Sequence, residues 1–259
     1  MVKAAAPPDA AARPAVIWHD LECGLYTADL ELWRELADGN APKGQPVLEI
    51  GAGTGRVSLD LARHGHTVTA VERDPALLAA LTARAAGLDL EGVGADARAL
   101  ALSRRDFALC LVPMQTVQLM GGTSGRLAFL RSVRAHLRDG GVLACALVED
   151  IEPFDAHAED LELEPELCRH EGVLYSSTPV RVTVGPRRIR IELERRVEPA
   201  EGRPPDARGQ PEREIIDLDR LTPERLQQEA RRVGLRALEV RTVAPTELHT
   251  ASTVVILGV

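Results

Sequence analysis

Three glycines at alternating positions, Gly51, Gly53 and Gly55, separate an apolar run, Val47-Leu48-Glu49-Ile50, from an amphipathic stretch that opens at Arg56. Glycine permits tight turns and puts no side chain between the main chain and a ligand. At a helix start, where N–H groups and the helix dipole concentrate positive charge, such a turn suits the polar end of a ligand. Acids recur at fixed places around it. Glu49 lies two residues before the first glycine, Glu72 closes the next apolar run, and Asp96 closes the one after. A carboxylate at Glu72 can accept from two ribose hydroxyls, and one at Asp96 from an exocyclic amine of adenine. The dinucleotide fingerprint would need glycine at position 56, where Arg56 stands, and the phosphate loop with its Gly-Lys-Ser/Thr ending is absent. What remains is Gly-x-Gly-x-Gly with acids upstream and at two later strand ends.

The elements that must position these groups alternate. Val47–Ile50, Thr67–Val71, Glu91–Ala95, Phe107–Val112 and Gly141–Val148 read as strands. Arg56–His64, Pro75–Ala86 and Gly125–Leu137 read as the helices between them, and proline in the first turn favours the second of these. Near-continuous apolar strands alternating with helices predict a parallel sheet covered on both faces. Ahead of it, apolar spacing predicts one helix from Ala15 to Ala37, after an Ala/Pro-rich tail over residues 1–15. After Val148 the pattern changes. Nine acids fall in residues 149–167 without a Lys or Arg, which predicts a largely solvated loop. Val173–Tyr175, Val180–Val184, Ile189–Val197 and Glu214–Leu218 then read as strands of an antiparallel insertion, with a Pro/Gly/charge-rich loop over 198–213. Alternation resumes with a helix over Pro223–Val233, capped by Gly234, and strands Leu238–Val243 and Thr253–Leu257. The short link between these last strands requires the final one to be antiparallel. The expected organisation is a tail (1–15), a helical cover (16–42), a core (43–148 and 219–259) and an inserted lid (149–218).

Composition narrows the function. With 31 Lys+Arg against 39 Asp+Glu the net charge is −8, which disfavours nucleic acid as a partner. No run approaches the roughly 18 apolar residues of a membrane span, and the first residues lack an apolar signal-peptide core. Cys23, Cys110, Cys145 and Cys168 are dispersed with no zinc spacing, as expected of reduced thiols in a cytoplasmic protein without a metal site. Lys3 and Lys43 are the only lysines, which together with abundant Ala, Leu, Gly and Pro suggests a GC-rich bacterial genome.

The glycine spacing and the strand-end acids resemble class I S-adenosylmethionine-dependent methyltransferases over Gln45–Val148 and again over Leu221–Val259. The resemblance implies an α/β, Rossmann-like seven-stranded sheet in the order 3-2-1-4-5-7-6, its last strand antiparallel. It also implies S-adenosyl-L-methionine as cofactor. Gly51, Gly53 and Gly55 would then cradle the methionine portion, Glu72 the ribose, and Asp96 with Ala97 the adenine. Glu49, Ala52, Arg73, Val112 and Pro113 complete the implied cofactor set. The segment after strand four, Val112-Pro113-Met114-Gln115, lacks the Asn/Asp-Pro-Pro-aromatic pattern of enzymes that act on adenine or glutamine nitrogens. That departure, with the N-terminal cover and the insertion, points to the small-molecule branch and a small methyl acceptor at N or O. Candidate catalytic residues are His249 as a base, Gln115 as a ligand of the acceptor or a cap of the following helix, and Tyr26, with Trp33, as part of a cover. A homodimer is compatible with this reading. Two alternatives stay open: a catalytically silent cofactor-binding subunit or sensor, and a protein or RNA methyltransferase.

Overall fold

The computed structural model describes residues 14–148, 152–157, 160, 164–198, 210–246 and 249–259. Most of the expected tail, the acids Glu149 and Asp150, and the centre of the 198–213 loop lie outside the described residues. The chain divides into two compact units.

The larger unit, Tyr26–Asp150 with Leu221–Val259, is built on a seven-stranded sheet. Its strands are β1 (Pro46–Ile50), β2 (Thr67–Glu72), β3 (Leu90–Gly94), β4 (Phe107–Val112), β5 (Leu137–Val148), and, near the C-terminus, β11 (Arg236–Val243) and β12 (Ser252–Gly258). The order is β3-β2-β1-β4-β5-β12-β11, parallel from β3 to β5, with β12 antiparallel to both neighbours. The helices are α2 (Leu30–Asn40), α3 (Arg56–Arg63), α4 (Pro75–Arg84), α5 (Gly122–Arg134) and α6 (Pro223–Arg231).

Alternate residues of the buried strands feed two cores. Leu48, Ile50, Cys110, Val112, Leu143 and Val255 pack with Phe129, Leu130 and Leu226 of α5 and α6. Val47, Leu109, Leu111, Ala144 and Val254 pack with Trp33, Leu36, Val57 and Leu61 of α2 and α3. Burial on both faces is why these strands read as continuous apolar runs rather than alternating ones. Helix starts follow the expected chemistry. Asp74 accepts from the N–H groups of Ala76 and Leu77 ahead of Pro75, and Thr222 accepts from Arg225 ahead of Pro223. Gly234, at φ +82°, ends α6.

The smaller unit comprises the chain up to Leu25 and Ile151–Arg220. Strands β8 (Val173–Val184), β9 (Arg188–Glu198) and β10 (Glu212–Asp219) form an antiparallel meander. Against the free side of β8 pair β6 (Phe154–His157) and β7 (Glu166–His170). The helix α1 (Pro14–His19) runs into a π-helical turn, Asp20–Gly24. Trp18 meets Tyr175 edge-on at 5.3 Å, and Arg195 lies over Trp18 while forking onto Glu22 with two 2.7 Å bonds.

Three expectations are corrected. The single helix over Ala15–Ala37 is broken between Gly24 and Leu30, and the two units divide at Leu25/Tyr26. The two short strands over 173–184 are one strand, because a register shift between Pro179 and Arg181 absorbs the proline. The acidic run is not all loop. Asp155 in β6 takes both nitrogens of an Arg181 fork and the Thr183 hydroxyl, so cross-strand pairing supplies the positive charge the run itself lacks.

Candidate functional site

Parallel pairing aligns the carboxyl ends of β1 to β5. Ile50 lies beside Val71, Glu72 beside Gly94, and Val112 beside Cys145. Because β12 runs the opposite way, its first residue, Ser252, lies beside Val148 at the end of β5. The segment before β12, with His249, therefore arrives at the same sheet edge as the glycine turn.

The turn uses all three glycines in left-handed conformations, with φ of +71°, +57° and +100° at Gly51, Gly53 and Gly55. Its N–H groups are committed internally. Gly51 and Ala52 donate to the Val71 carbonyl, Gly55 to that of Ala52, and Gly53 to Glu72 Oε2 at 2.9 Å. The glycines thus provide the turn and open space rather than a ring of unpaired donors. At Gly51 the space is tight on one side, since an added Cβ would meet Thr116 Cγ2 at 2.6 Å. Thr116 is held there by its hydroxyl, which donates to the Pro113 carbonyl at 3.0 Å. Met114, between them in the chain, sits at φ +53°, uncommon for a residue with a side chain.

Glu72 bridges two loops, accepting from Gly53 N–H on one oxygen and Asp74 N–H on the other. Each carboxylate oxygen retains capacity for a further donor such as a ribose hydroxyl. Asp96 caps the 3₁₀ turn at Ala97–Ala99 and is ion-paired with Arg98. Those bonds hold its carboxyl at about 2, so it is an anion, and an adenine amine at this site would share it with Arg98. Ala97, Val112 and Pro113 are buried beside it or at the end of β4, and Arg73 is exposed.

Under the glycine turn lies a polar cluster that the sequence does not single out. Arg56 forks onto Asp29 at 2.5 and 2.9 Å and donates to the Tyr26 carbonyl at 2.9 Å. The Trp33 indole N–H donates to the same Asp29 carboxylate at 2.7 Å. Arg56 also lies 5.2 Å from the centre of the Tyr26 ring, whose other neighbour is the His249 imidazole at 4.7 Å. Burial and then the Arg56 charge lower the His249 pKa below its ordinary 6.5, so the ring is neutral at pH 7. Glu49 is 2 % exposed, and hydrogen bonding from Ser58 and the Arg56 charge act on its carboxyl against the cost of burial. Burial pushes its carboxyl up to about 8.

Tyr26, His249, Arg56 and Glu49 are thereby brought into one cluster beside Gly51–Gly55. Gln115 stands at the cap position of the 3₁₀ turn Thr116–Leu119 but makes no side-chain capping bond. The buried amide nearby is Gln118, whose Oε1 accepts from Val148 N–H at 2.9 Å and pins the end of β5. Asp29 carries one sequence signal, its spacing of four residues from Trp33, whereas the Gln118 bond to Val148 and the approach of Thr116 to Gly51 arise only across the fold. Among the described residues no group of three or more His, Cys, Asp or Glu is placed to hold a metal ion.

The buried Glu49 carboxyl, the side-chain-free turn and the partly committed Glu72 fit a ligand with an ammonium group and a ribose. Residues 47–141 match the family model described as a methyltransferase domain. A ribosomal RNA small subunit methyltransferase A from Deinococcus radiodurans is 38% identical over 73 residues, 28% of this chain and 25% of that protein. A probable cobalt-precorrin-6B C(15)-methyltransferase (decarboxylating) from Methanothermobacter thermautotrophicus is 32% identical over 100 residues, 38% of this chain and 50% of that protein. The chain therefore spans half or less of the length of these curated relatives. Along nearly its whole length it shares the fold of CalS10, an amino pentose methyltransferase from Micromonospora echinaspora solved with S-adenosylmethionine bound. The TM-score is 0.70 at 20% identity, covering 93% of this chain and 96% of that one.

Proposed function

We propose, on the premise that this chain is a member of the class I S-adenosylmethionine-dependent methyltransferases, that it methylates a nitrogen or oxygen of a small metabolite. An amino sugar or a similar small amine is the acceptor class we favour, by likeness to the amino pentose enzyme. The observation that carries the reading is the neutral His249 imidazole held at a tilt against the Tyr26 ring, which itself lies against Arg56 next to the glycine turn. A proton acceptor at the edge where the cofactor loop lies supports this reading.

When bound, S-adenosylmethionine supplies a methyl group on a sulfonium, already electrophilic enough to need no further activation. The chain's own residues bind, orient and move a proton. Glu72 accepts from the ribose hydroxyls, Asp96 and Ala97 take the adenine, and Glu49 receives the α-ammonium group. Gly51, Ala52, Gly53 and Gly55 leave room for the chain of the ligand, while Val112 and Pro113 wall it and Arg73 stands at its rim. An acceptor ammonium or hydroxyl loses its proton to His249, which is neutral and thus able to take it. Tyr26 keeps the imidazole in place, and Gln115 offers an amide to the acceptor. The four free thiols accord with a cytoplasmic setting.

The test is formation of S-adenosylhomocysteine with a panel of amino sugars, small amines and hydroxylated metabolites, using wild type, Gly53→Arg and Glu72→Ala. Acceptor-dependent product that both variants lose supports the reading. Tight cofactor binding with no transfer to any acceptor would favour a silent binding subunit, and failure to bind the cofactor would sink the proposal.

A further inference from the structure

β11 ends the seven-stranded sheet, and among the described residues its one strand partner is β12. Its other edge therefore offers backbone N–H and C=O groups to a further strand. Leu238 and Val240 are each 44 % exposed there, an unusual place for two large apolar side chains. Bulges, prolines and lysines ordinarily keep such edges from pairing. The register shift of β11 lies at Ala237/Glu239, so Glu239–Val243 continues as a regular run opposite Ile256–Ser252. That run contains no proline or lysine.

The charges on the run are balanced and ordered. Glu239 and Arg241 lie opposite Ile256 and Val254 and share one face, while Val240 between them lies opposite Val255 on the other. Arg241 donates to Glu35 at 2.8 Å, and its Nε lies 3.9 Å from Glu239. A guanidinium has five N–H donors, so Arg241 can serve a further carboxylate. The Glu239 side chain is 61 % exposed.

Backbone geometry limits how two such edges can pair. Residues opposite each other in an antiparallel ladder both point their N–H and C=O groups inward, or both outward. A strand pairing with its own copy must therefore place the two-fold axis on a residue, not between two. An axis on Glu239 or on Arg241 sets like charges face to face. An axis on Val240 sets Glu239 opposite Arg241 of the partner subunit, and repeats that pair by symmetry. The two Val240 side chains then meet on the axis, and opposite-charge and β-branched pairs are the favourable cross-strand ones.

We infer that this edge is a self-association surface, where two copies join β11 to β11 about Val240 and merge their sheets into one. The occupant is a second copy because the charge pattern complements itself. The surface lies on β11 and requires nothing of the cofactor reading.

The experiment is sedimentation velocity of the full-length protein over a range of concentrations, with wild type, Glu239→Arg, Arg241→Glu, and the two variants mixed. Wild type should pass from single-chain to two-chain mass as concentration rises. Each variant alone sets like charges opposite each other twice, and should dimerise about 100-fold more weakly. Mixed in equal amounts, they restore both opposite-charge pairs and should form a heterodimer of near wild-type affinity. Separately, Val240→Cys should give a disulfide-linked dimer with copper phenanthroline, because residues on the axis lie within bridging distance. Wild type under the same oxidant is the control and should give none. A wild type that stays single-chain at every concentration overturns the inference. So does a dimer that both variants retain, by placing the contact elsewhere. Variants that dissociate but do not complement each other overturn the Val240 register. Should either charge variant fail to fold, as read from its thermal melt, the Val240→Cys cross-link decides alone.

Discussion

Asp29 and Arg56 meet fork to fork in the interior, with both guanidinium NH₂ nitrogens on the two carboxylate oxygens and the Trp33 indole N–H on one of them. The pair ties the segment ahead of α2 to the first residue of α3, directly after the glycine turn. It also presents Arg56 to the Tyr26 ring, and through that ring to His249. Removing one partner of a buried ion pair leaves the other uncompensated. Asp29→Asn should therefore lower the unfolding free energy by about 3 kcal/mol in a urea titration. An Asp29→Leu/Arg56→Met double variant should recover a large part of it, and a double variant no better than the single would refute this account of the pair.

Gly51 and Thr116 are coupled through space that a Cβ would fill. Gly51→Ala should cost about 1–3 kcal/mol, combining overpacking with a positive φ that alanine resists. Adding Thr116→Ala removes the colliding methyl and hydroxyl but not the backbone strain. The double variant should lie between Gly51→Ala and wild type in thermal stability and in S-adenosylhomocysteine affinity. Additive losses would mean that the two residues do not contend for the same volume.

Glu49 makes a prediction about folding that needs no ligand. Its pKa is raised in the folded state, to about 8, so the native protein binds a proton that the unfolded chain has already lost above pH 4.5. With more protons bound in the native state, this group's contribution to stability falls as pH climbs from about 4.5 to 8. Glu49→Gln removes that slope. The variant should gain on wild type as pH rises, by on the order of 3 kcal/mol at pH 7, as read from denaturant midpoints at several pH values. A difference constant with pH would show that Glu49 does not titrate in this range.

His249→Asn should lower kcat by about 10²-fold while leaving the affinity for S-adenosylhomocysteine near wild type, since the imidazole is assigned to the acceptor's proton. In wild type the acid limb of the kcat profile should lie below pH 6.5, because burial and Arg56 depress the imidazole and only its neutral form takes a proton. Tyr26→Phe retains the ring contact and should keep that limb in place. Unchanged kcat in His249→Asn would remove the residue from the chemistry.

Much of the core was legible from local pattern. β4 runs over Phe107–Val112, as its apolar run predicts, and β1, β2 and β12 differ from their apolar runs by one residue at each affected end. Strands buried on both faces leave an unbroken hydrophobic signature, and helices opened by Asp74-Pro75 and Thr222-Pro223 carry their own start signals. The insertion was harder to read. β6 lies in the acidic stretch and β7 begins at its end, and both pair with β8 through partners such as Arg181 and Ser177.

The amino-acid order by itself determined the glycine turn, the strand-end acids Glu72 and Asp96, and the alternation that requires a parallel sheet closed by an antiparallel strand. Each of these is written in residue types a few positions apart, through backbone freedom, strand length and connection length. Only the tertiary structure decided that the turn's N–H groups are already spent on Val71, Ala52 and Glu72, that Arg56 is locked to Asp29, and that His249 reaches the site through Tyr26. It also decided that Glu49 is buried to 2 % exposure with its carboxyl pushed up to about 8. Those outcomes depend on which side chains, some of them more than two hundred residues apart, meet and compete for the same buried partners, and that competition exists only once the sheet has assembled.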